Sequence, residues 1–292
     1  MTARSGPDAG PPGSSGLPVG DLLTSGPVTV DLPVPASALA IGAHPDDIEF
    51  GCGATLARWA AVGCRLHHLV LTDGSKGSWD PDADLVALVS ARRRECRDAA
   101  DVIDGGTGAT SGSDDRVIFA EQVDGELENG RDQRREVARI IRTVRPTVVL
   151  GHDPWRRYRL HPDHRAAGFL TIDALVAARD PHFFPELELA PHRPEVLLLF
   201  EADLPNHLED ARGFEARKID ALLCHQSQWE TTMGLEPAGD PGTGAGRARG
   251  GTPSADPRHH PEFSSKVRRQ LADHGALAGL GAAEAFREIA DL

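Results

Sequence analysis

Ala38-Leu39-Ala40-Ile41-Gly42 runs without a charge into Ala43-His44-Pro45-Asp46-Asp47-Ile48-Glu49, and this junction decides how the chain folds. A short uncharged run closed by turn-forming residues reads as a buried strand. Beyond the loop, Ala54 to Val62 spaces its apolar residues as a helix does, so the unit reads strand, polar loop, helix. The order then repeats. Strands are predicted at residues 38–43, 66–72, 147–151 and 196–200, and helices at 54–62, 85–103, 134–144, 164–178 and 214–224. Such alternation predicts an α/β fold: a three-layer, Rossmann-like, mostly parallel sheet with helices on both faces. Its active site belongs at the strand carboxyl ends.

Three loops fall at those ends. His44 to Asp47 follows the first predicted strand, Asp73-Gly74-Ser75-Lys76 the second, and His152-Asp153-Pro154, leading on to His161-Pro162-Asp163-His164, the third. A catalytic zinc uses three protein ligands, keeps a position open and needs a base nearby. His44, Asp47 and His164 supply the ligands, and Asp46 is left free to take a proton from water. His161, at i, i+3 from His164, is placed to polarise the carbonyl or protonate the leaving amine. Asp163 either caps the helix or orients a histidine ring. Each cluster alone also reads as a polar helix start, with the aspartates as caps.

Composition narrows the class. The 292 residues are 40% hydrophobic, enough for one sizeable domain, and the formal charge of -13 argues against a phosphate-neutralising surface. Neither nucleic acid nor an anionic membrane is an expected partner. Residues 1–28 are read as a flexible tail, 29–292 as a single catalytic domain, and the Gly, Pro and Arg-rich 237–262 as a mobile loop within it. Residues 262–292 regain a helical pattern, with Ser264 or Ser265 as N-cap and Ala282, Ala285, Phe286 and Ile289 as an apolar face. Four cysteines without Cys-x-x-Cys spacing read as reduced thiols, and with no signal peptide or membrane span visible the expected location is cytoplasmic.

The chain resembles the LmbE and PIG-L type metal-dependent de-N-acetylases, which hydrolyse N-acetylglucosamine-type amides. The resemblance rests on residues 43–49 with Gly51-Cys52-Gly53-Ala54-Thr55-Leu56, and on His161-Pro162-Asp163-His164. Thr72-Asp73-Gly74, Arg92, Glu95, Ala99-Ala100, Arg145-Pro146, Lys218 and His225-Gln226-Ser227-Gln228 extend it over most of residues 36–290. It implies the roles already assigned: His44, Asp47 and His164 as metal ligands, Asp46 as base, His161 against the tetrahedral intermediate. It also implies substrate contacts for Asp73 and Arg92. Some relatives place an oxyanion-binding tyrosine two residues before the downstream motif; here Arg159 stands there and Tyr158 is one position off, leaving Tyr158, Arg159 and His161 as alternatives.

The expected protein is a zinc-dependent hydrolase, with Fe2+ as the alternative metal, removing an acyl group from an amino-sugar-containing small molecule or glycosylated natural product. An amidase of a sugar-linked low-molecular-weight thiol is a second reading, and an inactive metal-stabilised sugar-binding protein a third. Oligomeric state is left open by the sequence.

Overall fold

A computed structural model describes residues 28–105, 116–235 and 260–292. The predicted tail, apart from Val28, and most of the predicted 237–262 loop lie outside them. Among the described residues eight strands form one sheet: β1 (Thr29–Val30), β2 (Ser37–Gly42), β3 (Arg65–Thr72), β4 (Val117–Gln122), β5 (Val148–His152), β6 (Val196–Phe200), β7 (His207–Asp210) and β8 (Ala283–Ala290). Their spatial order is β1-β7-β8-β6-β5-β2-β3-β4, and every pairing is parallel except the two made by β8. The helices are α1 (Asp47–Ala61), α2 (Leu85–Ile103), α3 (Arg131–Val144), α4 (Pro162–Arg179), α5 (Glu215–Leu223) and α6 (Pro261–Ala276).

Side chains alternate across a strand, and the central strand β2 shows it. Ala38 and Ala40 pack towards Ile48, Leu56 and Trp59 of α1 and Ala99 and Ile103 of α2. Leu39 and Ile41 pack the other way, against Val137 and Ile141 of α3 and Leu170 and Ala174 of α4. The sheet is therefore buried on both faces, which is why its strands read as nearly unbroken apolar runs. The expected three-layer architecture is the one observed. Among the described residues no helix is long and apolar enough to cross a membrane.

The last segment corrects the sequence reading. Residues 283–290 form a strand, not the end of a helix, antiparallel to both β6 and β7. Glu284 and Phe286 turn towards α1, where Phe286 joins one core; Ile289 packs on the opposite one. The spacing of Ala282, Ala285, Phe286 and Ile289 fits a helix locally, but partners distant in sequence decide the outcome. Helix α6 starts at Pro261, three residues before the expected serine cap, because proline suits a first helical turn.

Candidate metal centre

Helix α1 begins inside the His44 to Asp47 loop, and its first turn is separated from the rest by a break at Cys52 (φ -149°, ψ 19°). The break exposes backbone groups that the fold must satisfy. Glu284 of β8 accepts from Ala54 N and Thr55 N at 3.1 and 2.7 Å, and Lys218 Nζ donates to the Phe50 carbonyl and to Glu284 Oε1, both at 2.6 Å. A buried ion pair thus splices the two halves. Gly51 and Gly53 flank the break within this kinked helix, and a Cβ on Gly51 would meet the Phe200 ring at 2.6 Å. The short first turn is what aims Asp47 at the sheet end.

His44 Nδ1, Asp47 and His164 Nε2 converge from two distant loops. The separations are 3.3 Å for His44 to Asp47 Oδ2, 3.2 Å for His164 to Asp47 Oδ1 and 3.2 Å between the two imidazole nitrogens. Ligand atoms about 2.0–2.1 Å from a tetrahedral ion stand about 3.3 Å apart, so each of these separations has the length such an ion needs, with the two that reach Asp47 ending on different oxygens; His44, His161 and His164, and Asp47, His152 and His164, also bring three ligand atoms together here. The tautomer fits as well. His44 Nε2 faces Asp124 Oδ1 at 3.1 Å and Asp163 Oδ2 at 3.2 Å, which places the proton there and leaves the Nδ1 lone pair towards the centre. Burial pulls the His44 pKa down, but Asp124, Asp163 and Asp47 outweigh it and hold it well above the usual range. A field that pins a proton also attracts a cation. Asp47 lies well below the carboxylate range: burial opposes this, and His164 and His152 prevail.

Asp46 stands apart from that triangle. Its backbone is left-handed (φ 113°), a strained conformation for a residue other than glycine, and its carboxylate is buried. Burial pushes its pKa up to about 6 while Arg92, 3.7 Å away, opposes the shift. Arg92 is itself buried and donates to the Gly74 and Pro45 carbonyls at 2.9 and 2.7 Å. It ties the β3 loop to the His44–Asp47 loop beside Asp46.

His161 caps α4 through Nδ1, which accepts from Asp163 N at 3.3 Å, and its ring meets His44 edge-on at 4.5 Å. His44, Asp46, Asp47, His161, His164 and Arg92 share the wall of one cavity of about 520 Å³, with Trp79 on its rim. Asp73, Tyr158 and Arg159 are not part of that wall. The Asp73 carboxylate accepts from Ser75 N and Asp124 N, supporting the loop that carries Asp124. Tyr158 is 94% exposed, and Arg159 is buried against His152 and Glu201 at 2.9 and 2.7 Å.

Sequence reasoning gave no role to three residues here, although it placed His152 in a loop at the strand ends. His152 ends β5, stacks on His164 at 4.5 Å and reaches Asp47 Oδ2 at 3.2 Å. Glu201 follows β6 with φ 57° and is held at about 2 by His152 and Arg159 against the effect of burial. Asp124 follows β4, a strand the sequence reading omitted. For His152 and Glu201 the available signal was position: each stands at the carboxyl end of a predicted strand.

A sequence profile of the family described as PIG-L, GlcNAc-PI de-N-acetylase, matches residues 39–175. The diacetylchitobiose deacetylase of Thermococcus kodakarensis is 32% identical over 194 residues, covering 65% of this chain and 69% of that protein. A 1D-myo-inositol 2-acetamido-2-deoxy-alpha-D-glucopyranoside deacetylase of Saccharopolyspora erythraea is 33% identical over 165 residues, 51% of this chain and 60% of that one. In structure, N,N'-diacetylchitobiose deacetylase from Pyrococcus horikoshii shares the fold with a TM-score of 0.70 at 24% identity, covering 88% of this chain and 84% of that one. Fold, site and relatives define a metal-dependent amide hydrolase of the de-N-acetylase class. The chain belongs to the PIG-L de-N-acetylase family.

Proposed function

We propose that this protein is a zinc-dependent N-deacetylase of an acetylated amino sugar carried by a small glycoside. One observation carries the reading: the triangle of His44, Asp47 and His164 shares its cavity with a carboxylate, Asp46, that is not one of its corners. A purely structural zinc site closes on four protein ligands and needs no spare base. Two imidazoles and one carboxylate suit zinc, though ferrous iron accepts similar sets. The exposed Trp79 at the rim offers an aromatic face to a sugar ring, with room for its hydroxyls around it.

When bound, the cation supplies Lewis-acid polarisation of the amide carbonyl and a more acidic water. Asp46, fixed beside Arg92, accepts the proton that water loses as its oxygen bonds to the carbonyl carbon. His161 steadies the negative charge growing on the carbonyl oxygen. As the C–N bond breaks, Asp46 returns its proton to the departing nitrogen, leaving a free amine and acetate. Asp163 and Asp124 keep the His44 ring in one tautomer throughout.

Acetate release from N-acetylglucosamine and its glycosides, with metal analysis of the same preparation, tests the proposal. One zinc per chain and equimolar acetate and amine are expected. Sugar binding without release would turn the reading into that of a binding protein, and stoichiometric iron would replace the zinc.

A further inference from the structure

Strands β5, β2 and β3 lie side by side and parallel, so the loops after β5 and β3 leave one end of the sheet, on either side of the His44–Asp47 loop. These two loops carry opposite charge. Residues 155–165 hold four arginines and one aspartate in a chain whose formal charge is -13, whereas residues 79–86 hold three aspartates and no basic residue. Each also shows bare apolar side chains. Leu160 is 91% exposed beside the exposed Tyr158, and Val86 is 78% exposed beside the exposed Leu85 at the start of α2.

The basic loop is held in shape rather than left loose. Asp153 accepts from Trp155 N at 2.9 Å, Asp203 accepts from Arg157 N at 2.7 Å, and Arg156 pairs with Glu201 at 3.0 Å. Between these anchors Tyr158 is left-handed (φ 57°), a conformation that costs energy in any residue but glycine. A fixed, strained loop that puts its apolar tip in water gains nothing within its own chain. For association it is an advantage, because a tip already ordered loses less entropy on docking. Aromatic side chains and arginine are also the residues enriched at protein interfaces.

The two patches complement each other in charge. Asp80 and Asp82 are exposed and, among the described residues, enter no ion pair, and Arg165 donates to the Arg159 carbonyl rather than to a carboxylate. An unlike partner would account for only one patch, and an anionic surface would be repelled by the other. A second copy of the chain accounts for both, since a two-fold axis seats each basic loop on the acidic segment opposite.

We propose that the protein pairs with a second copy of itself, the 155–160 loop of each copy resting on residues 80–86 of the other. Trp79, on the rim of the catalytic cavity, adjoins the acidic segment, so each copy stands beside the other's catalytic mouth.

Sedimentation velocity of the full chain tests the pairing, in the wild type and in two charge reversals: Arg156→Glu with Arg157→Glu, and Asp80→Arg with Asp82→Arg. The wild type should contain an even number of chains, two at least, and each reversal should halve its mass. An equimolar mixture of the two reversed proteins, in which opposite charges face again, should restore the wild-type mass. If a reversal does not fold, Leu160→Ser with Val86→Ser, which changes only exposed side chains, should raise the dissociation constant at least about tenfold. A wild type with one chain or an odd number, variants that stay paired, or a mixture that stays apart would each overturn the proposal.

Discussion

In the proposed reaction Asp46 carries the proton transfers, and its surroundings are correspondingly specific. Its left-handed backbone, its burial and the nearby Arg92 guanidinium are each costly or specific arrangements, and together they hold one carboxylate clear of His44, Asp47 and His164. Removing a general base typically costs about 10²–10⁴-fold in rate. Asp46→Ala should lose turnover on that scale and keep its metal, as acetate release and elemental analysis would report; an emptied site would make Asp46 a ligand instead. The residues of this centre that were legible in the sequence are those whose meaning is local. His44, Asp46, Asp47, His161 and His164 sit in two short motifs, each beside a predicted element. Asp124, His152 and Glu201 gain meaning only when parallel strands bring their ends together. Arg159 stood where relatives place a tyrosine, yet the structure pairs it with His152 and Glu201 rather than with the cavity.

At the scale of elements, α1 is where fold and function meet. In a continuous helix from Asp47 the backbone groups around Cys52 would pair with one another, but the break there makes them depend on Glu284 and Lys218. Breaking a buried ion pair from one side leaves the other charge uncompensated and costs about 3–5 kcal/mol. Glu284→Ala should be destabilised by about that amount in urea unfolding, more than any exposed glutamate variant, and a Glu284→Leu, Lys218→Met double variant should lose less than the sum of its single changes. Additive losses would show that the two side chains act independently. The same strand marks the limit of the sequence reading. The apolar residues of β8 repeat at helical intervals, and only its insertion between β6 and β7, with neither neighbour adjacent in sequence, selects the extended form. The β2 region, by contrast, was legible because its uncharged run, its loop and its helix are consecutive.

For the molecule as a whole, burying both faces of the sheet also buries titratable groups, and this shapes its response to acid. His68 of β3 is 1% exposed with Nδ1 unpartnered, and burial, opposed by Glu49 and aided by Arg116, holds it at about 4. Its ordinary value is 6.5, so between pH 6.5 and about 4 the unfolded chain binds a proton that the folded chain refuses. Stability contributed by the neutral ring is thus complete above pH 6.5 and falls as pH drops through this window, by at most about 3 kcal/mol. Urea unfolding at pH 7.5 and 4.5 should show a smaller loss for His68→Phe than for the wild type; equal losses would mean that His68 titrates normally in the fold. The sheet has a second consequence, since the carboxyl ends of β2, β4, β5 and β6 all feed one cavity and hold the His44 loop against the start of α4. Whether those two segments grip one cation between them is best measured by anomalous diffraction at the zinc edge from crystals of the purified protein. The account predicts a single peak within bonding distance of His44 Nδ1, Asp47 and His164 Nε2, with Asp46 outside it; a peak bonded through Asp46, or one seated elsewhere, would contradict it.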